Sequence, residues 1–196
     1  LTLAACWSSA VDLVPLADDA ALKPWLKKVN TVLSRRAEGS LAMEVRPGTF
    51  NFGWAQCPLP AGAVTPQTAG VYGRFRAASG TQGQLSLMVL CLNGKASANY
   101  VCPAQALLAE SRGEWLEFYV PLSDFRPERE GKAPLNAGAI RAGDRLQINL
   151  NGVDGARAVA EFDRLRFLEP DEAAAVGRAV RRAGLARMLL PAELCA

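Results

Sequence analysis

Six polar and aromatic side chains stand at alternate positions in three extended stretches: Tyr72 and Arg74, Glu117 and Tyr119, and Gln147 and Asn149. Successive side chains of a strand point to opposite faces, so each pair shares one face of its own strand. Set side by side in one sheet, the six would gather flat rings that cover C–H surface with amide, guanidinium and carboxylate groups that fix hydroxyls. Such a mixture suits a sugar, and it is equally the make-up of a solvated sheet face. Bond cleavage is poorly provided for. The chain contains no histidine, which removes the usual general base, the commonest zinc ligand and any Ser–His or Cys–His couple. No serine sits in a G-x-S-x-G elbow, and Glu117 with Glu161 is a carboxylate pair that no motif singles out for glycoside hydrolysis.

The elements that would position these groups are read from apolar alternation. In Trp115–Phe125, Leu116, Phe118, Val120 and Leu122 fall on one side of a strand and Trp115, Glu117 and Tyr119 on the other. Pro121 withdraws a ladder donor at its end, and Ser123-Asp124 starts a turn. Val71, Gly73 and Phe75 oppose Tyr72, Arg74 and Arg76, and Leu146, Ile148 and Leu150 oppose Arg145, Gln147, Asn149 and Asn151. Leu41–Val45 and Phe50–Ala55 are further strands, with Cys57 to Gly70 a loop. Gln84–Leu92 is apolar on both faces, as a covered central strand should be. Asn93-Gly94 signals a turn into Asn99–Cys102, Ala104–Ala109 a helical turn, and the stretch from Arg126 to Gly143 a polar loop. In Glu161–Leu168 the apolar parity changes between Phe162 and Leu165, which predicts a bulge. From Asp171 the spacing becomes helical, with Asp171-Glu172 supplying an N-cap and favourable charge. Strands separated by turns, without strand–helix alternation, predict an all-β antiparallel sandwich over residues 1–170 and a C-terminal helical extension over 171–196.

Composition agrees with a globular domain: 196 residues, half hydrophobic, 21% charged and net charge +3. That charge is too weak and too dispersed to argue for nucleic acid, and no apolar run reaches the ~20 residues of a membrane helix. The five cysteines show no CxxC spacing, which argues against a zinc or redox motif. Cys91 and Cys102 flank the predicted hairpin, as two buried thiols or as a disulfide. Trp25, Trp54 and Tyr100 are weaker binding candidates, since a lone Trp in an all-β domain more often plugs the core, and Trp115 is read as sealing the sandwich edge. Leu3-Ala4-Ala5-Cys6 resembles the bacterial lipobox, in which Cys6 would carry a lipid anchor.

Gly70–Arg76, Gly113–Phe125, Asp144–Leu150 and Glu161–Phe167, with Ala-Leu-Lys-Pro-Trp25 ahead of them, together resemble the galactose-binding-domain-like jelly rolls, especially carbohydrate-binding modules of glycoside hydrolases. The resemblance implies a non-catalytic module that binds polysaccharide or oligosaccharide on a sheet face, secreted or at the bacterial cell surface, beside a catalytic domain in the same polypeptide. It also implies a structural calcium, for which Asp163 in the closing strand and Asp12 are the candidate ligands; calcium wants six to eight oxygens. Two other readings stand beside it. One is a structural or protein-interaction sandwich, suggested by the Ala/Arg helix and the sparse aromatics (7%). The other is a polysaccharide lyase or hydrolase with tyrosine as its remaining base.

Overall fold

A computed structural model describes residues 11–182, apart from 15, 28, 47–51, 79–80, 82, 93–97, 112 and 153–156 and the side chains at 105–106, 109, 177 and 179–182. The alternating stretches form strands, and the strands form two antiparallel sheets. The six-stranded sheet runs β1 (Leu26–Lys27), β4 (Phe52–Pro58), β10 (Arg145–Gly152), β6 (Gly83–Cys91), β7 (Ala98–Pro103), β9 (Arg126–Pro127). The five-stranded sheet runs β2 (Thr31–Arg35), β3 (Leu41–Val45), β11 (Ala158–Leu168), β5 (Gly70–Ala77), β8 (Leu116–Pro121). Helix α1 (Gln105–Ser111) bridges β7 and β8, and α2 (Pro170–Arg182) follows β11.

The inward sets predicted from alternation meet between the sheets. Phe75, Phe118, Phe162 and Leu41 from one sheet, with Leu85, Leu87, Val89, Leu146, Ile148 and Leu150 from the other, are buried in one cluster. The all-β sandwich is therefore the fold. Gly73 lies opposite Phe118 on the inner face, and a Cβ there would collide with the Phe118 ring; the glycine makes room for the aromatic. The predicted bulge is present as a register shift between Phe162 and Arg164. The turn after β8 is a 3-10 turn at Leu122–Asp124.

Strand order departs from expectation at the point that matters most. Strands β5 and β8 are neighbours, with Tyr72 opposite Tyr119 and Arg74 opposite Glu117, but β10 lies in the other sheet between β4 and β6. Gln147 and Asn149 therefore point away from the sandwich on the side opposite Tyr72, Arg74, Glu117 and Tyr119, and the single six-residue face does not form. Alternation assigns inside and outside correctly for every one of these strands. It carries no information about which sheet a strand joins, because both sheets present the same apolar parity to one shared core.

Smaller differences have local causes. Strand β4 runs on through Pro58, its final residue, because Cys57 still pairs with Leu146. The short β1 and β2 on the sheet edges carry too little alternation to be read. Helix α2 starts with Pro170, whose missing N–H costs nothing at a first helical position, and the Glu172 carboxylate accepts from the Glu169 N–H at 3.2 Å. The cap thus sits at Glu169, two residues before the expected one. The Asn93-Gly94 turn and the lipobox-like Cys6 lie outside the described residues.

Cys91 is opposite Ala98 and Cys102 opposite Leu87, so the two thiols lie on different rungs of the hairpin and are free, as is Cys57. Burial raises the Cys57 thiol to about 12 and those of Cys91 and Cys102 to about 11. Thiolate is the reactive species. Iodoacetamide at pH 8 is expected to leave Cys57, Cys91 and Cys102 unmodified in the folded protein and to label all three in guanidinium, as read by peptide mass spectrometry.

Candidate functional site

The outer face of the six-stranded sheet is built from four neighbouring strands whose residues meet rung by rung. Trp54, Asn149 and Ser86 share one rung, and Gln56, Gln147, Met88 and Val101 share the next. Phe52 extends the face at one end, and Leu90 and Asn99 continue it at the other. Inward partners on β4 are Gly53, Ala55 and Cys57, small enough to bring that strand close to the core while its large residues stand outward. With Glu128, these side chains line an open groove of about 420 Å³. Strands β4 to β7 are three spacings apart, so the floor is about 14 Å across.

The floor is polar and tightly connected. Arg145 Nη1 donates to Gln56 Oε1 at 2.8 Å, and Gln56 Nε2 donates to Gln147 Oε1 at 2.5 Å. Gln147 Nε2 donates in turn to Asn149 Oδ1 and, at 3.3 Å, to Met88 Sδ. Asn149 Nδ2 donates to Ser86 Oγ at 3.0 Å. The chain has one direction, because its first member is a guanidinium, which donates and never accepts. Its last member, Ser86, accepts and so keeps its own hydrogen for an incoming group. Gln147 and Asn149 are only 7% and 6% exposed; their side chains are locked by neighbours rather than free in solvent, which is how a recognition surface keeps its ordering cost low. Trp54 and Phe52 stand beside this floor partly exposed and offer ring faces to C–H surface.

The five-stranded sheet's outer face is differently committed. Tyr72 and Tyr119 are 1% and 6% exposed. The Tyr72 hydroxyl is hydrogen-bonded to Glu117, and burial first, then that carboxylate, raises its pKa. Burial raises Tyr119 to about 12. Arg74 pairs with Asp163 at 2.8 Å, and Arg76 and Arg36 both reach Glu161. The Arg74 and Arg76 guanidinium carbons lie 5.2 and 4.5 Å from the Trp115 ring centroid. Arg166, 5% exposed, lies over the Tyr72 ring and 3.7 Å from Asp12. Of the four sequence candidates on this side, two are buried and two are held in internal pairs.

The calcium candidates fit a metal poorly. Asp12 faces Arg166 and Asp163 faces Arg74, and desolvation outweighs those cations enough to raise both carboxyls. Among the described residues no three His, Cys, Asp or Glu side chains converge on a metal-sized site, and two arginine-bound carboxylates fall far short of six to eight oxygens.

Sequence reasoning placed Gln147 and Asn149 on a site-forming face, ranked Trp54 low, and passed over Phe52, Gln56, Ser86, Met88 and Asn99. A usable signal existed in β4, where Phe52, Trp54 and Gln56 alternate with Gly53, Ala55 and Cys57. Trp25 is buried at 6% and Tyr100, at 7%, belongs to the core cluster.

No family model matches the chain, and no curated protein sequence matches it. Solved structures do. An exo-β-agarase superimposes with a TM-score of 0.56 at 13% identity over 91% of this chain and 31% of its own. PfGH50B does so at 0.54 and 10% identity, over 74% of this chain and 22% of its own. The chain thus spans less than a third of each of those two proteins. The family 11 carbohydrate-binding module from Clostridium thermocellum, solved with a β-1,3-1,4-mixed-linked tetrasaccharide, gives 0.53 and 15% identity over 81% of this chain and 94% of the module. Two antiparallel sheets around one core, covering almost the whole of such a module, give this chain the β-sandwich jelly-roll fold of the carbohydrate-binding modules.

Proposed function

We propose that this chain is a non-catalytic carbohydrate-binding module that holds a glycan in the groove across the outer face of the six-stranded sheet. The observation that carries the reading is the directed amide chain from Arg145 to Ser86 flanked by Trp54 and Phe52. A sugar presents vicinal hydroxyls and an apolar C–H face together, and this groove presents fixed amides and aromatic rings together. The similar sandwich module solved with a bound tetrasaccharide supports the same assignment. In this reading Gln147, Asn149, Gln56 and Ser86 bind hydroxyls and Trp54 covers a ring. Tyr72, Arg74, Glu117 and Tyr119 serve the opposite sheet's stability. The exo-β-agarase, of whose chain this fold covers 31%, supports a catalytic domain in the same polypeptide, and with it we read the protein as exported. No helix among the described residues is long and apolar enough to cross a membrane.

The test compares the two faces. Calorimetric titration with soluble oligosaccharides, chosen by a glycan array, is expected to show at least tenfold weaker binding for Asn149→Ala, since a lost hydrogen bond in a closed polar network costs about 1–3 kcal/mol. Glu117→Gln on the other sheet is expected to leave affinity unchanged. Loss of binding in Glu117→Gln with retention in Asn149→Ala would place the site on the wrong sheet, and an array without any bound glycan would end the reading.

A further inference from the structure

The groove is electrostatically lopsided. Its Phe52 and Trp54 end carries no ionised side chain among its lining residues. At its other end the ionised lining residue is Glu128, and around it four cations, Arg126, Arg129, Lys132 and Arg145, stand against two carboxylates, Glu128 and Glu130. Arg145, Leu90 and Asn99 lie on one rung, and the Glu128 N–H donates to the Asn99 carbonyl at 3.0 Å, which carries the rung onward into the segment after β9. There Asn99 and Glu128 are shared between the groove and an adjoining pocket of about 70 Å³, whose remaining lining includes Arg129 and Lys132. The pocket's carboxylate accepts from Asn99 Nδ2 at 2.8 Å, which ties it to β7 and leaves its charge in place beside the two cations. The cations have no acidic partner: none of Arg126, Arg129, Lys132 and Arg145 forms an ion pair with a described residue, Arg145 being held by the neutral Gln56, although ion pairs are plentiful on the other sheet. Val101 pairs with Arg126, so that arginine stands on the groove side of the neighbouring rung.

We propose that the groove takes an anionic glycan, oriented so that a carboxylate or sulfate substituent meets Arg129 and Lys132 while an uncharged ring covers Trp54. This rests on the reading of the groove as a glycan site. Guanidinium and ammonium groups recognise carboxylate and sulfate oxygens through charge-assisted hydrogen bonds, roughly twice as strong as neutral ones. Because Arg145 only donates, every amide oxygen along the floor accepts from the preceding group, and the chain closes on the Ser86 hydroxyl, which on the Trp54 rung is left to donate to an oxygen of the uncharged ring. Arg145 therefore contributes one cation beside the groove and fixes the hydrogen-bond sense of its floor. Orientation follows from the same asymmetry, since a chain lying the other way would set its charge against Trp54 and leave both cations unpaired.

The experiment titrates the full chain with polygalacturonate, with carrageenan, and with a neutral mixed-linkage β-glucan, at 20 and 300 mM NaCl (roughly 20 Å against 6 Å of screening length). The carboxylate and sulfate polymers separate the two sources of charge. At least one is expected to bind about tenfold more tightly than the neutral glucan, and Arg129→Gln/Lys132→Gln, at exposed positions, is expected to remove that advantage while changing neutral affinity less than about twofold. High salt should weaken the anionic complex and spare the neutral one. Neutral glucan bound as well as or better than both charged polymers, with the double variant indifferent, overturns the anionic assignment and leaves the groove as a glycan site. An anionic preference that survives the double variant overturns the placement at Arg129 and Lys132. Binding of none of the three polymers, with an empty glycan array, overturns both this inference and the reading beneath it.

Discussion

Trp54→Ala is expected to lower glycan affinity by about 10- to 100-fold, because covering an aromatic side chain contributes about 1.5–3 kcal/mol and each 1.4 kcal/mol is a factor of ten. The ring is the natural platform of the groove. It stands on β4 directly opposite Asn149, so a sugar lying on it would have its edge hydroxyls beside the amide that ends in Ser86. Phe52, two residues away on the same face, is 36% exposed and extends the apolar strip along the strand. Stability should hardly move, since Trp54 faces away from the core, and substitutions outside the core usually stay within about 0.5 kcal/mol. Calorimetric titration and a thermal melt on the same preparation separate the two effects. Affinity within twofold of the parent protein would remove Trp54 from the site. A fall in melting temperature equal to that of a core variant would mean that the ring supports the sheet rather than a ligand.

The inside of this protein was legible in the sequence and the arrangement of its outside was not. Phe75, Phe118, Ile148 and Leu150 announce themselves by alternation, and even the Phe162 bulge shows as a break in parity. Each of these is a local consequence of the two-residue period of a strand. The partner of Gln147 is not local. It lies 91 residues away at Gln56, in a strand whose pairing with β10 is set by the whole topology. Arg74 and Glu117 looked available because a sequence cannot show that Asp163 and Tyr72 already occupy them. Tyr119 looked outward-facing and is, yet it is buried, because facing away from one core does not ensure contact with water. The site's most informative residues, Gln56, Ser86 and Asn99, are individually unremarkable polar residues. They acquire meaning only as a rung-by-rung set across four strands.

Phe162→Ala is expected to destabilise the fold by about 3–5 kcal/mol, the range for truncating a fully buried aromatic. The position of Phe162 is fixed from three sides. Its ring lies 5.2 Å from that of Phe75 at 60°, a tilted geometry that adds to simple burial. On one edge it is the last residue of β11 paired to β3, opposite Leu41. On the other it is the last pair before the register with β5 slips to Arg164 opposite Arg74. The extra residue at that slip, Asp163, is therefore turned outward to Arg74 by the same packing that holds Phe162 inside. Against a total of about 5–15 kcal/mol for a domain, the loss is a large fraction, and at about 2–4 °C per kcal/mol for a chain of this size the melting temperature should fall by about 6–20 °C. Urea unfolding should show an earlier midpoint with an unchanged slope, since the surface exposed on unfolding stays the same. Phe162→Leu, which keeps most of the volume, should lose less than half as much. A loss below about 1 kcal/mol for the alanine variant would mean that the two sheets do not close on this ring, and the strand pairing that sends β10 and β11 to opposite layers would then lack its central support.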